Sequence, residues 1–333
     1  MQDVCERHEK AYERFFKGQG GLPRFKKVKK YKSFTLKQEA GWKLLADVQA
    51  PIRKGNSKAY RPGVAQVIIG KRRYKFVKHR PIHGNIKTMT IKRDAVGRLW
   101  IYFSVVAEIT IEDEISRGES GGFDFGLRTF LTDHKGRAIE HPQYFKQDLP
   151  SMRRIQKAVS KKVKDSANQC RGKKHIARRH IRIADKRRQF HYQLAHSLCD
   201  QYDILVFEDL NIAAMKKLWA RKVSDLAFSQ FIQIVKWVAL KRGKQVIQID
   251  RWTRSTAICS ACKHKQDIDL KEVLFCCENC GLVLDRDHNA AINIRQLGIL
   301  ELGHQLIQSQ LEEDRSENYS GGIQRQGQPK PTR

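Results

Sequence analysis

The cysteine spacing in the last third of the chain constrains the fold more than any other feature of the sequence. Two C-x2-C pairs, Cys259/Cys262 and Cys277/Cys280, are separated by fourteen residues, and Gly281 follows the second pair. Each pair places two thiolates at one tight turn, and four thiolates suit a closed, tetrahedral, structural Zn²⁺ site. Gly281 supplies the backbone freedom that such a turn requires. The spacing therefore predicts a zinc ribbon.

Other cysteines and histidines leave the exact ligand set open. Cys276 precedes Cys277 and is an alternative ligand, although the C-x2-C spacing favours Cys277. His264 and His288 are further alternatives, each more typical of a surface or structural histidine. The remaining cysteines are scattered, which favours metal binding in a reducing compartment over a disulfide framework; they are Cys5, Cys170 and Cys199.

The chain is strongly basic, with 65 Lys and Arg against 35 Asp and Glu, a net charge of +30. Nucleic acid is the predicted partner, because each neutralised phosphate releases counterions. No apolar run approaches the ~20 residues of a membrane span, and no basic amphipathic helix rich in Trp or Phe indicates a membrane surface. The N-terminus has no secretory pattern. We therefore expect a cytoplasmic protein with no membrane partner and no small-molecule substrate.

The N-terminal third predicts an all-β region. Four β-branched or aromatic runs follow one another between Val64 and Ile109, with turns between them. They predict an antiparallel sheet or a small barrel. This region either binds nucleic acid, as oligonucleotide-binding barrels do, or only supports the rest of the chain. We assign residues 1–115 to a partial, β-barrel-like nucleic-acid-binding domain.

Residues 151–198 predict a basic helical hairpin with its turn at Gly172. Between Arg153 and Arg188 there are fifteen Lys or Arg and two acids. Like charges at this density repel one another within a helix pair. This favours a surface that faces a polyanion over an ordinary solvated helix face.

From residue 123 onward, strands alternate with helices, which predicts an α/β sheet domain. Short apolar strands are expected at 203–209 and 244–250, with a helix from Ser224 to Arg242 between them. Residues 301–333 are polar and contain Gly and Pro near the end, so we expect a disordered tail.

Three acids lie at positions where a carboxylate either stabilises the fold or takes part in a functional site. Asp124 lies between two phenylalanines, Glu208 ends an apolar strand, and Asp287 precedes the last helix. Singly, each has a structural interpretation, such as the helix N-cap that Asp287 could provide. Together, in a basic protein, they suggest carboxylates around Mg²⁺, where two ions ~4 Å apart activate a water and stabilise the leaving oxygen of a phosphodiester. The residues permit a phosphodiesterase without singling one out.

Several motifs resemble one family. FDFGLRTFLT (123–132) is similar to the first RuvC motif and ILVFEDLNIAAM (204–215) to the second. CENCG followed by DRDHNAAINI (285–294) is similar to the zinc ribbon and the third motif. Their order and spacing resemble the TnpB (OrfB) proteins of bacterial insertion sequences, relatives of type V CRISPR effectors. The resemblance extends over nearly all of residues 8–298.

This resemblance implies an RNase H-like RuvC domain over residues 116–300 with an inserted zinc ribbon at 255–284. It also implies a bacterial or archaeal, Mg²⁺-dependent DNA endonuclease, directed by a guide RNA and associated with DNA transposition and recombination. By match of motif, Asp124, Glu208 and Asp287 would be the catalytic ligands of two Mg²⁺ ions, with Asp285 as a candidate helper. The four paired cysteines would hold structural Zn²⁺.

The N-terminus departs from the family pattern. Family chains usually place a basic strand and a helical recognition segment before the stretch that matches EKAYERFFKG (9–18). Met1 lies almost on that stretch, so we expect an N-terminally shortened chain. The intact acids favour the nuclease. The short N-terminus favours the alternative, a noncatalytic nucleic-acid-binding remnant or transposition regulator.

Overall fold

The protein has a mixed α/β fold that divides into two compact units. One unit comprises Met1–Thr110 and Lys162–Arg178, and the other Ile111–Lys161 and Arg179–Arg333. The predicted boundary at 115/116 lies outside the described residues. The computed structural model describes residues 2–25, 31–38, 40–48, 63–78, 81–106, 118–250, 255–269 and 272–320.

In the described part of Met1–Thr110, the first unit contains one N-terminal helix and two three-stranded antiparallel sheets, and its segment Lys162–Arg178 contains the start of a later helix that begins at Ala167. Helix α1 spans Gln2–Phe16. One sheet has the order β1-β5-β6 and the other β2-β3-β4. The strands are β1 (Ser33–Lys37), β2 (Trp42–Val48), β3 (Gly63–Ile69), β4 (Arg72–Lys78), β5 (Asn85–Arg93) and β6 (Leu99–Val106). The four strands predicted after Val64 are present, and two earlier strands join them.

Aromatic rings connect the two sheets of this unit. The ring of Phe103 in β6 lies 6.1 Å from the ring of Trp42 in β2 and 5.9 Å from that of Phe76 in β4. Ala65, Val67 and Met89 are fully buried. The alternation of apolar and polar residues along these strands thus places one face of each strand in a shared core.

The second unit is built on a five-stranded sheet of order β11-β10-β7-β8-β9. Strand β10 runs parallel to both β7 and β11, whereas β7, β8 and β9 form an antiparallel meander. The strands are β7 (Ser120–Asp124), β8 (Thr129–Asp133), β9 (Ala138–Glu140), β10 (Ile204–Glu208) and β11 (Gln245–Ile249). The predicted strands at 203–209 and 244–250 are confirmed as β10 and β11.

Two basic helices, α2 (Tyr144–Ser160) and α3 (Ala167–Gln201), lie in the region of the predicted hairpin, and the break between them is at 161–166 and not at Gly172. Within this connection Asp165 takes a left-handed backbone with φ of 60°, two residues before α3 begins. Gly172 lies inside α3. A glycine inside a helix costs only about 1 kcal/mol, which a long helix accommodates.

The helix predicted from Ser224 to Arg242 is two helices, α4 (Ile212–Leu226) and α5 (Phe228–Lys241). The side chain of Asn211 caps α4 by accepting a hydrogen bond from the Ala214 N–H at 3.0 Å. Ala227, with φ of 52° and ψ of 46°, separates the two helices. Ser224 therefore lies near a helix end, and the sequence interpretation missed the break because alanine rarely adopts a left-handed conformation.

Helix α6 (Arg286–Ser320) packs on the sheet and runs beyond its predicted end. Residues 301–320 are helical, in contrast to the predicted disordered tail at 301–333, and residues 321–333 lie outside the described residues. Leu, Gln and Glu dominate this stretch and are strong helix formers, so its polarity misled the prediction. In the part of the chain that is described, no helix is both long enough and apolar enough for a membrane span.

Glycine allows α6 to approach the sheet closely. A Cβ on Gly122 of β7 would lie 2.3 Å from the Ala291 carbonyl oxygen. On α6 itself, a Cβ on Gly298 would lie 2.2 Å from Cγ1 of Val206 in β10. At Gly122 the strand backbone therefore lies directly against the backbone of α6, and at Gly298 the helix backbone lies directly against the Val206 side chain.

Candidate functional site

Two of the three predicted acids lie at the carboxyl ends of neighbouring parallel strands. Phe207 of β10 pairs with Phe123 of β7 in the sheet register. Glu208 and Asp124 are the next residues and the last of their strands. Because side chains alternate along a strand and adjacent strands lie ~4.8 Å apart, the two carboxylates point to the same face of the sheet.

The third acid, Asp287, lies in the first turn of α6. Asp285 accepts hydrogen bonds from the backbone N–H groups of Asp287 at 3.0 Å and His288 at 3.1 Å, so Asp285 is the N-cap of the helix. This capping leaves the Asp287 carboxylate available, and its Oδ1 lies 3.1 Å from the Arg286 guanidinium. The structure therefore distinguishes the two acids of the DRD motif by their local roles.

The electrostatics of the site connect all three carboxylates. Burial, followed by the charges of Asp287 and Glu208, raises the pKa of Asp124 to about 8, and Asp124 is only 7% exposed. Burial, with a smaller contribution from Asp209, raises the pKa of Glu208 to about 7. Like charges held together in a poorly solvated place favour protonation or a bound cation.

The four paired cysteines are a ready-made ligand group, whereas the three carboxylates are not. Among the described residues, the cysteines form the one group of three or more potential metal ligands that the structure brings together, with all ligand atoms within 4.8 Å of one another. A metal site shared by Asp124, Glu208 and Asp287 is therefore a proposal.

A cavity of about 280 Å³ opens beside Glu208. Its walls come from the segments after β7 and β10, from β11 and from one face of α5. They are formed by Phe125, Glu208, Asp209, Leu210, Ile212, Ser229, Ile232, Gln233, Lys236 and Gln248. The cavity gives access to the carboxyl edge of the sheet, where ligands bind in open α/β folds.

The four predicted cysteines converge on one point. Sγ of Cys259 lies 3.6 Å from Sγ of Cys280, and Sγ of Cys262 lies 3.6 Å from Sγ of Cys277. Four thiolates about 2.3 Å from a tetrahedral ion would be about 3.8 Å apart, so these side chains fit a metal ion. Cys276, His264 and His288 are not members of this group.

Two buried asparagines, which the sequence interpretation missed, join the first cysteine turn to α6. Asn289 accepts from the Ser260 N–H at 2.9 Å and donates to the Ile258 carbonyl at 2.8 Å. Asn293 donates to the carbonyls of Ser255 at 2.9 Å and Ile258 at 2.6 Å. The sequence signal for them was the pair of amides four residues apart in NAAIN (289–293), whose other residues are apolar. They connect the metal-binding turn to the helix that carries Asp287.

Comparison with known proteins finds two family models in the chain. Residues 105–218 match a family model described as a probable transposase of the OrfB type, and residues 228–294 match the Cas12f1-like TNB domain. Homologues of the chain are named TnpB-like proteins. Over these two segments the chain is similar to the TnpB (OrfB) family. The two segments contain Asp124, Glu208, Asp287 and all four paired cysteines.

Individual relatives show the extent of the similarity. A Streptomyces pristinaespiralis protein named "Putative RNA-guided DNA endonuclease" is 32% identical over 217 residues, which cover 64% of this chain and 53% of that protein. TnpB-like protein L79 of Acanthamoeba polyphaga mimivirus is 27% identical over 64% of the chain and 44% of its own length. The chain thus spans about half the length of these relatives. InsQ of Escherichia coli, which carries the same functional name as the Streptomyces protein, is 27% identical over 93% of the chain and 77% of its own length.

A solved structure shares the fold. The protein chain in a cryo-EM structure of the Cas12f1-sgRNA-target DNA complex superposes with a TM-score of 0.54 at 14% identity. The match covers 88% of the present chain and 70% of the chain in the solved structure. At this level of identity, the likeness concerns the fold alone.

Proposed function

We propose that this chain is an RNA-guided, Mg²⁺-dependent DNA endonuclease with an RNase H-like RuvC domain. The observation that carries the proposal is the placement of Asp124 and Glu208 at the ends of adjacent parallel strands, with Asp287 coupled to Asp124 from the start of α6. The mixed sheet, in which β10 and β11 are parallel to β7 and an antiparallel meander follows β7, supports the RNase H-like assignment.

Asp124, Glu208 and Asp287 are the residues that would hold Mg²⁺. Carboxylate oxygens are the ligands that this ion prefers. Burial is the main cause of the raised pKa values of Asp124 and Glu208, and the charges of neighbouring carboxylates add to it, so a bound cation would favour the ionised form of both groups. When bound, two ions would activate water and neutralise charge on the phosphodiester. The neighbouring Arg286, paired with Asp287, would complement the phosphate as well.

The four-cysteine cluster is assigned to structural Zn²⁺, because four thiolates leave no open coordination position. DNA and guide RNA are the proposed partners. The names of the S. pristinaespiralis and E. coli relatives and the nucleic acids in the Cas12f1 structure support this assignment. The net charge of +30 supplies the electrostatic attraction that either polyanion requires.

Plasmid cleavage with a supplied guide RNA tests the proposal. We expect cleavage in MgCl₂ and none in EDTA, and a loss of about 10³-fold in rate for Asp124→Asn, because one ligand supplies several kcal/mol of charge stabilisation. Glu140→Gln is the matched control, since Glu140 is an exposed acid of β9 at the far edge of the same sheet. Equal rates for Asp124→Asn and wild type would refute the site. Nucleic-acid binding without any cleavage would identify a noncatalytic binding protein.

A further inference from the structure

Helix α5 has two chemically different faces. Its core face consists of Phe228, Phe231, Val235 and Val238, all at most 3% exposed. The opposite stripe has the spacing i, i+3, i+4, i+7 that places side chains on one helix face. That stripe is Ser229, Ile232, Gln233 and Lys236, and every member of it lines the cavity beside Glu208.

The cavity offers three kinds of contact in one small volume. Phe125 and Ile232 supply apolar surface, Gln233 supplies an amide, and Lys236 supplies a positive charge. Within the described part of the chain, neither Gln233 nor Lys236 has a hydrogen-bond or ion-pair partner. A wall that combines these groups, without internal partners for the polar ones, is suited to a ligand with flat faces, polar edges and negative charge.

A nucleotide has this combination of features. Apolar and aromatic side chains pack against base faces, amides hydrogen-bond base edges, and an ammonium pairs with phosphate as a point charge. The volume of about 280 Å³ is near the lower limit of ligand pockets, so it is matched to one nucleotide unit and not to a duplex. Lys236 is the one positively charged residue among the ten described residues that line the cavity, so a phosphate in the cavity would pair with it.

We propose that this cavity is a nucleotide-binding subsite for the strand that is cut. Lys236 contacts a backbone phosphate next to the scissile one, Gln233 hydrogen-bonds the edge of a base, and Phe125 and Ile232 contact its face. This subsite rests on the proposed function, because Glu208, a proposed Mg²⁺ ligand, lines the same cavity.

The test is the salt dependence of binding by the full chain. A fluorescent single-stranded DNA oligonucleotide is titrated in buffer without added Mg²⁺ and without chelator, so that structural zinc is kept and no cleavage is expected, and log Kd is plotted against log salt. Removal of one phosphate contact lowers the slope by about 0.7 for a single strand. We expect this decrease for Lys236→Ala and full recovery for Lys236→Arg. Gln233→Ala is expected to weaken binding about 2- to 10-fold at unchanged slope, as loss of one hydrogen bond does.

Lys241→Ala is the matched control. Lys241 lies on the same helix with its Nζ 4.6 Å from the ring centroid of Trp237, and it does not line the cavity. We expect a smaller change in slope for this variant than for Lys236→Ala. Photo-cross-linking of an oligonucleotide that carries 5-iodouracil gives a second readout, with adducts expected on peptides that contain Phe125 or residues 228–236.

The outcomes separate the subsite from the nuclease. An unchanged slope for Lys236→Ala, or adducts that avoid both peptides, overturns the subsite. If Mg²⁺-dependent cleavage is still lost in Asp124→Asn, the nuclease proposal stands without it. A decreased slope and adducts in a chain that never cleaves would support nucleotide binding in the cavity and overturn the nuclease.

Discussion

His191 makes the stability of the second unit depend on pH between about 6.5 and 4. The imidazole is 1% exposed and stacks on Phe130 at 5.5 Å between ring centroids, with Phe231 at 5.4 Å. Burial, followed by the charge of Arg187, lowers the pKa of His191 from 6.5 to about 4, although a hydrogen bond with the Leu226 backbone opposes the change. The folded protein therefore keeps this ring neutral at pH values where the unfolded chain protonates it.

The size of this pH effect on the free energy of unfolding is set by the pKa of His191 in the unfolded and in the folded state. A difference between 6.5 and about 4 corresponds to about 3 kcal/mol at about 1.36 kcal/mol per pH unit. The folded pKa is the lower one, so the unfolded state binds the proton first as the pH falls. The contribution of the neutral His191 ring to the free energy of unfolding is complete above pH 6.5. It declines as the pH falls toward 4 and changes no further below that.

Equilibrium urea unfolding at several pH values between about 7.5 and 4 measures this effect. The free energy of unfolding of each variant is compared with its own value at the highest pH, so the packing lost in His191→Gln cancels. We expect wild type to lose about 3 kcal/mol more than His191→Gln over this range. His175→Gln, which replaces an exposed histidine of the same helix, should behave as wild type does. If the free energy of unfolding falls with pH by the same amount in wild type and in His191→Gln, the reasoning is refuted.

Two further predictions concern metal removal and backbone conformation. Chelation should increase hydrogen exchange in peptides from 255–285 while β7 and β10 stay protected, because structural zinc supplies folding free energy to its own module. Metal analysis that finds no zinc in protein purified without chelator would contradict the zinc assignment. Ala227→Gly should raise the free energy of unfolding by about 0.5–1 kcal/mol, because a left-handed alanine costs ~1–2 kcal/mol and the added chain entropy offsets part of the gain. Unchanged or lower stability in urea unfolding would show that Ala227 is not strained.

The parts of the structure that could be predicted from the sequence are those set by local spacing. The mixed α/β class, strands β10 and β11 and the clustering of four cysteines all depend on patterns between residues that are close in the chain. Motif order predicted the similarity to the TnpB (OrfB) family, which the comparisons confirm. The metal-binding roles of Asp124, Glu208 and Asp287 stay predictions until cleavage is measured.

Features set by tertiary contacts were not predictable. Ala227 is held in a left-handed conformation between two helices, and no residue preference indicates a break there. Asn289 looks like one polar residue in a helix, because its partners Ser260 and Ile258 lie about thirty positions earlier in the chain. The cavity beside Glu208 draws its walls from four separate segments, so its chemistry emerges only after folding.

Because Gly122 has no side chain, the backbone of α6 contacts the backbone of β7 directly. Asp287 reaches the neighbourhood of Asp124 only as long as α6 rests directly on β7, and a single methyl group at Gly122 would press against both Ala291 and Arg295. A relative could therefore retain every acid and every cysteine of the motifs and still have its carboxylates pushed apart. The residue at the position of Gly122 is therefore as informative about the arrangement of the three carboxylates as the acids themselves, although glycine has no side chain.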